Sequence, residues 1–338
     1  MEDEGPESAI VLSSRARLAR NLRGVPYANR AGEDILGEVV EQVIEAAKRA
    51  GFNEKNFFDG DDLTDIQKNL FIERNLMTPL LASRNGSRGV IVRDRERSSM
   101  MINEEDHLRI QAIRPGLDMK AALVDVTTTA DSMTESLEFA FDDSYGFLTA
   151  CPTNMGSGLR LSVLIHLPSL VLTKEIQRVI RSASQLRLAV RGYRGEGSDV
   201  VGNFFQISNQ VTMGKTEDEI EQELVSVVAR IIDYEKKAAD MLFKNARSQT
   251  EDKIWRSIGI LKTARVMSSH EFMNVCSVVR LGILLGIVGT ITVRQLNELL
   301  IQTQPGHLQE TLKRELTPLD RDIARADIVR ERLVDASL

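Results

Sequence analysis

Between residues 217 and 245 an apolar stripe runs unbroken at helical period, through Ile220, Leu224, Val227, Val228, Ile231 and Ile232. Thr216, with Glu219 three residues on, supplies a capping box at its start. This stretch divides the chain. Before it, short β-rich runs are mixed with amphipathic ones. After about residue 246 the strand period does not return. The pattern predicts an α+β domain on a largely antiparallel sheet over residues 1–246, then a small all-helical domain over 247–338.

Residues 31–50 place Ile35, Val39, Val43, Ile44 and Ala47 on one helical face, with Gly51 as the stop. Runs at 88–93 and 97–102 flank the charged turn Arg93-Asp94-Arg95-Glu96 and predict a hairpin. Strands are also expected at 107–113, 145–150, 159–167, 185–190 and 202–208, with helices near 119–140 and 172–184. Thr292 with Gln295, and Thr317 with Pro318 and Asp320, predict two later helix starts. The longest apolar run, Leu281 to Val293, is shorter than the ~20 residues needed to span a bilayer. It reads as the buried end of one helix, a turn and the start of the next.

Composition narrows the function classes. A net charge of −6, with 42% hydrophobic and 27% charged residues, fits a globular chain with a core and gives no basis for a nucleic-acid partner. The opening MEDEGPES lacks the apolar segment of a signal peptide, and Cys151 and Cys276 make no disulfide framework, so a reducing cytoplasm is the expected location. The scattered His107, His166, His270 and His307 show no zinc spacing. Gly214-Lys215-Thr216 resembles the end of a P-loop, but Asn209 stands where that pattern needs glycine. Gly192, Gly195, Gly197 and Gly202 likewise miss the dinucleotide pattern and mark a bending loop.

Four polar segments stand out: Ser13 to Asn21, rich in arginine; Asn103-Glu104-Glu105-Asp106-His107-Leu108-Arg109; Cys151-Pro152-Thr153-Asn154 running on to Arg160; and Arg191 to Asp199. Singly, each reads as a solvated charge run, a turn or a small buried residue. Together they suit phosphate chemistry. Planar guanidinium forks bind phosphate oxygens bidentately, and phosphoryl transfer needs mainly positioning and charge stabilisation. If 103–110 runs as an extended strand, alternation puts Glu105, His107 and Arg109 on one side.

In order and spacing over roughly residues 10–245, these segments resemble the signature blocks of the phosphagen (guanidino) kinases. Near the end, Arg321-Asp322-Ile323-Ala324-Arg325-Ala326 resembles the Arg-Asp-x-x-Arg-Ala motif of bacterial protein-arginine kinases of the McsB type, which extends the likeness to nearly the whole chain. The resemblance implies an antiparallel sheet flanked by helices, similar to that of glutamine synthetase, and transfer of the γ-phosphoryl group of Mg·ATP to a guanidinium nitrogen. With Arg15 so early, it also implies that the lid domain of the small-molecule enzymes is missing, which suits an arginine on another protein.

Residue by residue, the resemblance makes Glu105 the base that deprotonates the guanidinium. Asp199, where the phosphagen kinases usually have glutamate, becomes a second clamp one methylene shorter. Cys151 lies at the guanidinium site. Nucleotide contacts fall on Ser13, Ser14, Arg15, Ala16, Arg17, Asn75 (often histidine in the family) and Arg109. They continue through Arg160, Leu161, Ser162, Val163 and Leu164, and through Arg191, Gly192, Tyr193, Arg194, Gly195 and Glu196. Mg²⁺ is expected on the nucleotide phosphates and water rather than in a protein cage. The tail motif implies a phosphoarginine site at Arg321, Asp322, Arg325 and Ala326. Two guanidinium forks would take the phosphoryl group and the aspartate the ligand guanidinium.

Implied partners are arginine-bearing protein substrates, a zinc-binding activator protein and a Clp unfoldase–protease, with roles in marking proteins for degradation and in stress response. No nucleic-acid or membrane partner is expected, and self-association through the tail is left open. Two rival readings stand beside this one: a kinase for a free small guanidine, and a phosphoarginine-binding adaptor with weak or no kinase activity.

Overall fold

The structure is a computed structural model that describes residues 4–193 and 200–334. Its strands are β1 (Val11–Arg20), β2 (Phe57–Asp59), β3 (Gly89–Val92), β4 (Ser98–Ile102), β5 (Leu108–Pro115), β6 (Phe141–Asp142), β7 (Gly146–Phe147), β8 (Leu159–His166), β9 (Leu188–Gly192) and β10 (Phe204–Asn209). Among the described residues, eight of them form one antiparallel sheet in the order β2-β3-β4-β5-β1-β8-β10-β9, and β6 pairs with β7 apart from it.

The pleat sorts β1 by chemistry. Ala16 and Leu18 are fully buried on one face, while Arg15 and Arg17 stand on the other. Register carries the same division into the neighbours. Ala16 lies opposite Leu161 and Ala112, whereas Arg17 lies opposite Arg160 and Gln111. The apolar face packs on α1 (Glu33–Arg49), α4 (Met119–Thr134) and α7 (Glu217–Asn245), through Val39, Val43, Leu123, Val126, Leu224 and Val228. Between these lie the short helices α2 (Asp65–Glu73) and α3 (Pro79–Ala82), and later α5 (Pro168–Leu172) and α6 (Ile176–Gln185).

From Arg247 on, the described residues form helices only: α8 (Arg247–Thr263), α9 (Ser269–Leu284), α10 (Val293–Gln302), α11 (Pro305–Leu312) and α12 (Pro318–Arg332). Their core joins Ile254, Ile258, Phe272, Val279, Leu296 and Val329, and it takes in Leu12 and Phe204 from the sheet. His166 Nε2 lies 2.8 Å from Ser277 Oγ of α9, and its ring stacks 4.8 Å from Phe204. The helices thus cover one end of the arginine-bearing face.

Local expectations meet the structure unevenly. The capping box at Thr216 forms, with Glu219 N donating to Thr216 Oγ1 at 3.2 Å and Thr216 N to Glu219 Oε2 at 2.7 Å, and α7 has the expected span. The run 281–293 does end one helix and begin another, turning at Gly286 with φ +70°. The helix expected at 172–184 starts only at Ile176, because α5 ends at Leu172 and the chain turns at Lys174 with φ +62°. The strand expected at 145–150 shrinks to Gly146–Phe147, outside the main sheet. The central strand β1 carries no strand signal in the sequence, because its alternating arginines look like a solvated surface.

Arg280, fully buried on α9, ties the N-terminal segment to the helices. Its Nε donates to Ala9 O at 2.9 Å, its Nη1 to Asn297 Oδ1 at 2.6 Å and its Nη2 to Ser8 O. Arg280→Ala leaves those acceptors unmatched and should lower unfolding free energy by about 2–4 kcal/mol in a urea titration. A loss under ~0.5 kcal/mol would show that water replaces the guanidinium.

Candidate active site

Arg15 and Arg17 of β1, Arg109 of β5 and Arg160 of β8 share the open face of the sheet. Arg17 lies opposite Arg160, and Ala19, one pleat along from Arg17, lies opposite Arg109. Burial, with the charges of Arg109 and Arg160, pushes the Arg15 pKa down to about 9. Burial and the three neighbouring guanidiniums push Arg17 well below its ordinary value. A guanidinium keeps its proton at neutral pH, so these shifts express crowding that a polyanion would relieve. Arg17 Nε is buried with no hydrogen-bond partner among the described residues. Such an orphaned donor in a nest of cations fits the phosphates of a nucleotide.

Gln111 orders this nest. Its Oε1 accepts from Arg15 Nε at 3.1 Å, and its Nε2 donates to Ser99 Oγ at 2.7 Å and to Asn75 O at 2.6 Å. Asn75 takes the left-handed conformation, φ +59°, which asparagine tolerates, and its Oδ1 accepts from Arg15 Nη1 at 3.4 Å.

Residues 103–107 form a tight loop, closed by Asn103 N donating to His107 O at 3.0 Å, with Asn103 at φ +57°. Strand β5 starts only at Leu108, so the expected alternation of Glu105, His107 and Arg109 does not hold. His107 instead turns inward. Its Nδ1 accepts from Leu22 N at 3.0 Å and its Nε2 lies 2.9 Å from Pro26 O, which a neutral ring protonated on Nε2 satisfies; burial holds its pKa down.

The three acids of the loop have separate surroundings. Buried Glu104 receives Arg109 Nη1 at 2.8 Å, Thr78 Oγ1 at 2.6 Å and the amide of Glu105 at 3.1 Å. Buried Asp106 receives Asn21 Nδ2 at 2.6 Å and Ala150 N at 2.7 Å. Glu105 is half-buried, and its carboxylate accepts no hydrogen bond from the described residues. Burial, then the charges of Asp106 and Glu104, raise its pKa against the pull of Arg109 and Arg84. Of the three, Glu105 is the carboxylate left open to a ligand.

Asn21 joins the blocks. It holds Asp106, donates to Leu148 O at 3.1 Å and accepts His107 N at 2.9 Å. Through Asp106 and Ala150 the loop leads to half-buried Cys151, whose Sγ lies 3.0 Å from Thr153 Oγ1. Asn21, Glu104 and Gln111 order these groups without being singled out by the sequence pattern. The first two stood inside the quoted segments, but only the fold reveals what they hold.

Other expected contacts are narrowed. Ala16, Leu161 and Val163 point into the helix-covered core, because the pleat sends alternate side chains there. Ser14, also on that side, donates its hydroxyl to Gly116 O at 2.8 Å. Ser13 is half-buried beside it. From 160–164, Arg160, Ser162 and Leu164 keep the open face, and Leu164 packs toward the C-terminal helices. Arg191 lies opposite Gln206 in register, Gly192 ends β9, and Tyr193 follows with its ring 6.0 Å from Phe204. Arg194, Gly195, Glu196 and Asp199 lie outside the described residues.

The tail motif is only partly at the surface. Arg325 is 1% exposed and committed to the fold, donating to Thr303 O at 2.9 Å, Met267 O at 2.8 Å and Asp322 Oδ1 at 2.6 Å. Ala326 is buried in the same core. Arg321 is half-buried and donates from Nη1 to Leu316 O at 3.1 Å. The expectation of two open forks is therefore reduced to Arg321, with the Asp322 carboxylate already held by Arg325.

Comparison with known proteins agrees with this geometry. Residues 38–238 match the family described as ATP:guanido phosphotransferase, C-terminal catalytic domain, and residues 247–337 match the protein-arginine kinase McsB C-terminal domain. The chain is 44% identical to a protein-arginine kinase of Halothermothrix orenii, over 98% of this chain and 95% of that one. It is 41% identical to a protein-arginine kinase of Bacillus subtilis, over 98% and 92%. A crystal structure of lombricine kinase superposes with a TM-score of 0.59 at 26% identity, covering 68% of this chain and 67% of the other. An arginine-lined antiparallel sheet, an open glutamate beside it and a helical C-terminal region that matches its own family place the chain in the protein-arginine kinase family.

Proposed function

We propose that this chain transfers the γ-phosphoryl group of ATP to guanidinium nitrogens of arginine side chains in proteins. The observation that carries the reading is Glu105, the open carboxylate with raised proton affinity, on a loop pinned beside four crowded guanidiniums. Glu105 takes a proton from the substrate guanidinium as the N–P bond forms. The bond between phosphorus and the bridging oxygen breaks, and its electron pair leaves with ADP. Arg15, Arg17, Arg109 and Arg160 meet the charge on the transferring group and on ADP. Glu104 and Asp106 are buried and already accept hydrogen bonds from within the chain, so Mg²⁺ would ride on the phosphates and water and supply further charge neutralisation there.

In the same reading Asp199 clamps the guanidinium from the far side and Cys151 lies against it. Residues 1–246 act as the catalytic domain, and residues 247–338 carry a phosphoarginine site centred on Arg321 and Asp322. The family resemblance extends this to a cytoplasmic enzyme whose mark directs proteins to a Clp unfoldase–protease and regulates stress response, with a zinc-binding activator as partner.

Incubation with Mg·ATP should yield acid-labile phosphoarginine on casein and not on free arginine; signal on free arginine alone, or on neither, overturns the reading. Glu105→Gln should lower kcat by ~10²–10⁴-fold while KM for ATP stays within about threefold. Because Glu105 works deprotonated and its pKa lies above the ordinary carboxylate value, kcat/KM should fall as pH drops through that raised value. Glu104→Gln removes a neighbouring negative charge and frees Arg109, so the acid limb should move to lower pH. An unmoved limb would assign the titration to another group. In the tail, Arg321→Ala should abolish phosphoarginine binding with an unchanged melting temperature, Asp322 being left in place because it partners buried Arg325. Arg325→Ala should instead cost about 2–5 kcal/mol of stability in a urea titration, as expected when a large buried side chain that donates to Thr303 O and Met267 O is removed.

A further inference from the structure

The strongest link between the C-terminal helices and the arginine face runs through three consecutive residues at the end of α2. Glu73 accepts the amides of Gly306 at 2.7 Å and His307 at 3.0 Å, the second and third residues of α11. An anion is well placed at that helix end. Gly306 allows the close approach, since a Cβ there would lie 2.8 Å from Leu70 N. His307, 6% exposed, bridges onward: its Nδ1 lies 2.8 Å from Glu73 Oε2, and its Nε2 accepts from Arg74 Nε at 3.0 Å. A carboxylate can only accept and a guanidinium only donate, so a neutral ring protonated on Nδ1 satisfies both. Arg74 also pairs with Glu96 at 2.6 Å. The next residue is Asn75, whose carbonyl and side chain index Gln111 and Arg15.

We propose that His307 is a positioning residue of the nucleotide site. The C-terminal helices fix Arg74 through this ring. Arg74 fixes the left-handed Asn75, and Asn75 sets the aim of Arg15. The proposal rests on the reading of the arginine face as the nucleotide site.

The test is steady-state kinetics of the full chain with ATP and casein, with thermal melts to count folded protein. His307→Ala should raise KM for ATP about five- to tenfold, with kcat and KM for casein within about twofold, the scale of one lost hydrogen bond. His307→Gln can accept from Arg74 and donate to Glu73, so it should restore most of the loss. Arg74→Met should raise KM for ATP in the same direction, and the double variant should be no worse than the poorer single one. Unchanged KM for ATP in folded His307→Ala overturns the proposal. So does a lowered melting temperature with an unchanged KM, which would make the ring an interface support only. If His307→Ala fails to fold, Arg74→Met decides in the same way. Arg17→Ala separates the two readings: if it too leaves KM for ATP unchanged, the assignment of the arginine face is what fails.

Discussion

Mutual repulsion among Arg15, Arg17, Arg109 and Arg160 is the constraint around which the rest is arranged. Guanidiniums this close are tolerated only where a rigid frame holds them and an anion can answer them. The frame is the pleat of three neighbouring strands, β5, β1 and β8, whose register sets the arginines on one face. The opposite face is aliphatic and buried under α1, α4 and α7. Helices could not cover the charged face without stranding those donors. The C-terminal helices accordingly meet it where Leu12, Phe204 and His166 offer apolar or paired surface, and reach it indirectly through Glu73 and Arg74.

The loop that carries the acids follows the same economy of partners. Three consecutive carboxylates with similar intrinsic proton affinity are made different by what surrounds them. One is spent on Arg109 and Thr78, one on Asn21 and Ala150, and the middle one is left open with its charge crowded. Burial raises the proton affinity of Asp106 as well as Glu105, so it is the lack of a hydrogen-bond donor, rather than side-chain identity, that singles out Glu105.

Much of this was legible in the sequence, for physical reasons that differ by region. Long amphipathic helices announce themselves through their own stripe and caps, so 217–245 and the caps at Thr292 and Thr317 read correctly. The arginine and acidic blocks were visible because polar residues there have no local explanation. What could not be read was which partner each would find. Arg325 looked like half of a solvent-facing pair and is a buried tie, because three of its acceptors come from segments distant in the chain or from its own helix. Alternation puts His107 on the side of Glu105 and Arg109, yet it is a core ring, since the loop closes one residue before the strand. The anchoring of α11 on Glu73 leaves no periodic trace at all.

The place of β1 in the sheet has a consequence for how the molecule comes into being. The strand leaves the ribosome before either of its neighbours, yet both of its edges are completed by segments far downstream, residues 108–115 and 159–166. Until those emerge, its arginines and aliphatic residues have nothing to pair with, and such non-local pairing is slow. The arginine-bearing surface is therefore complete only once residue 166 has emerged, and a shorter nascent chain lacks the strand that carries Arg160.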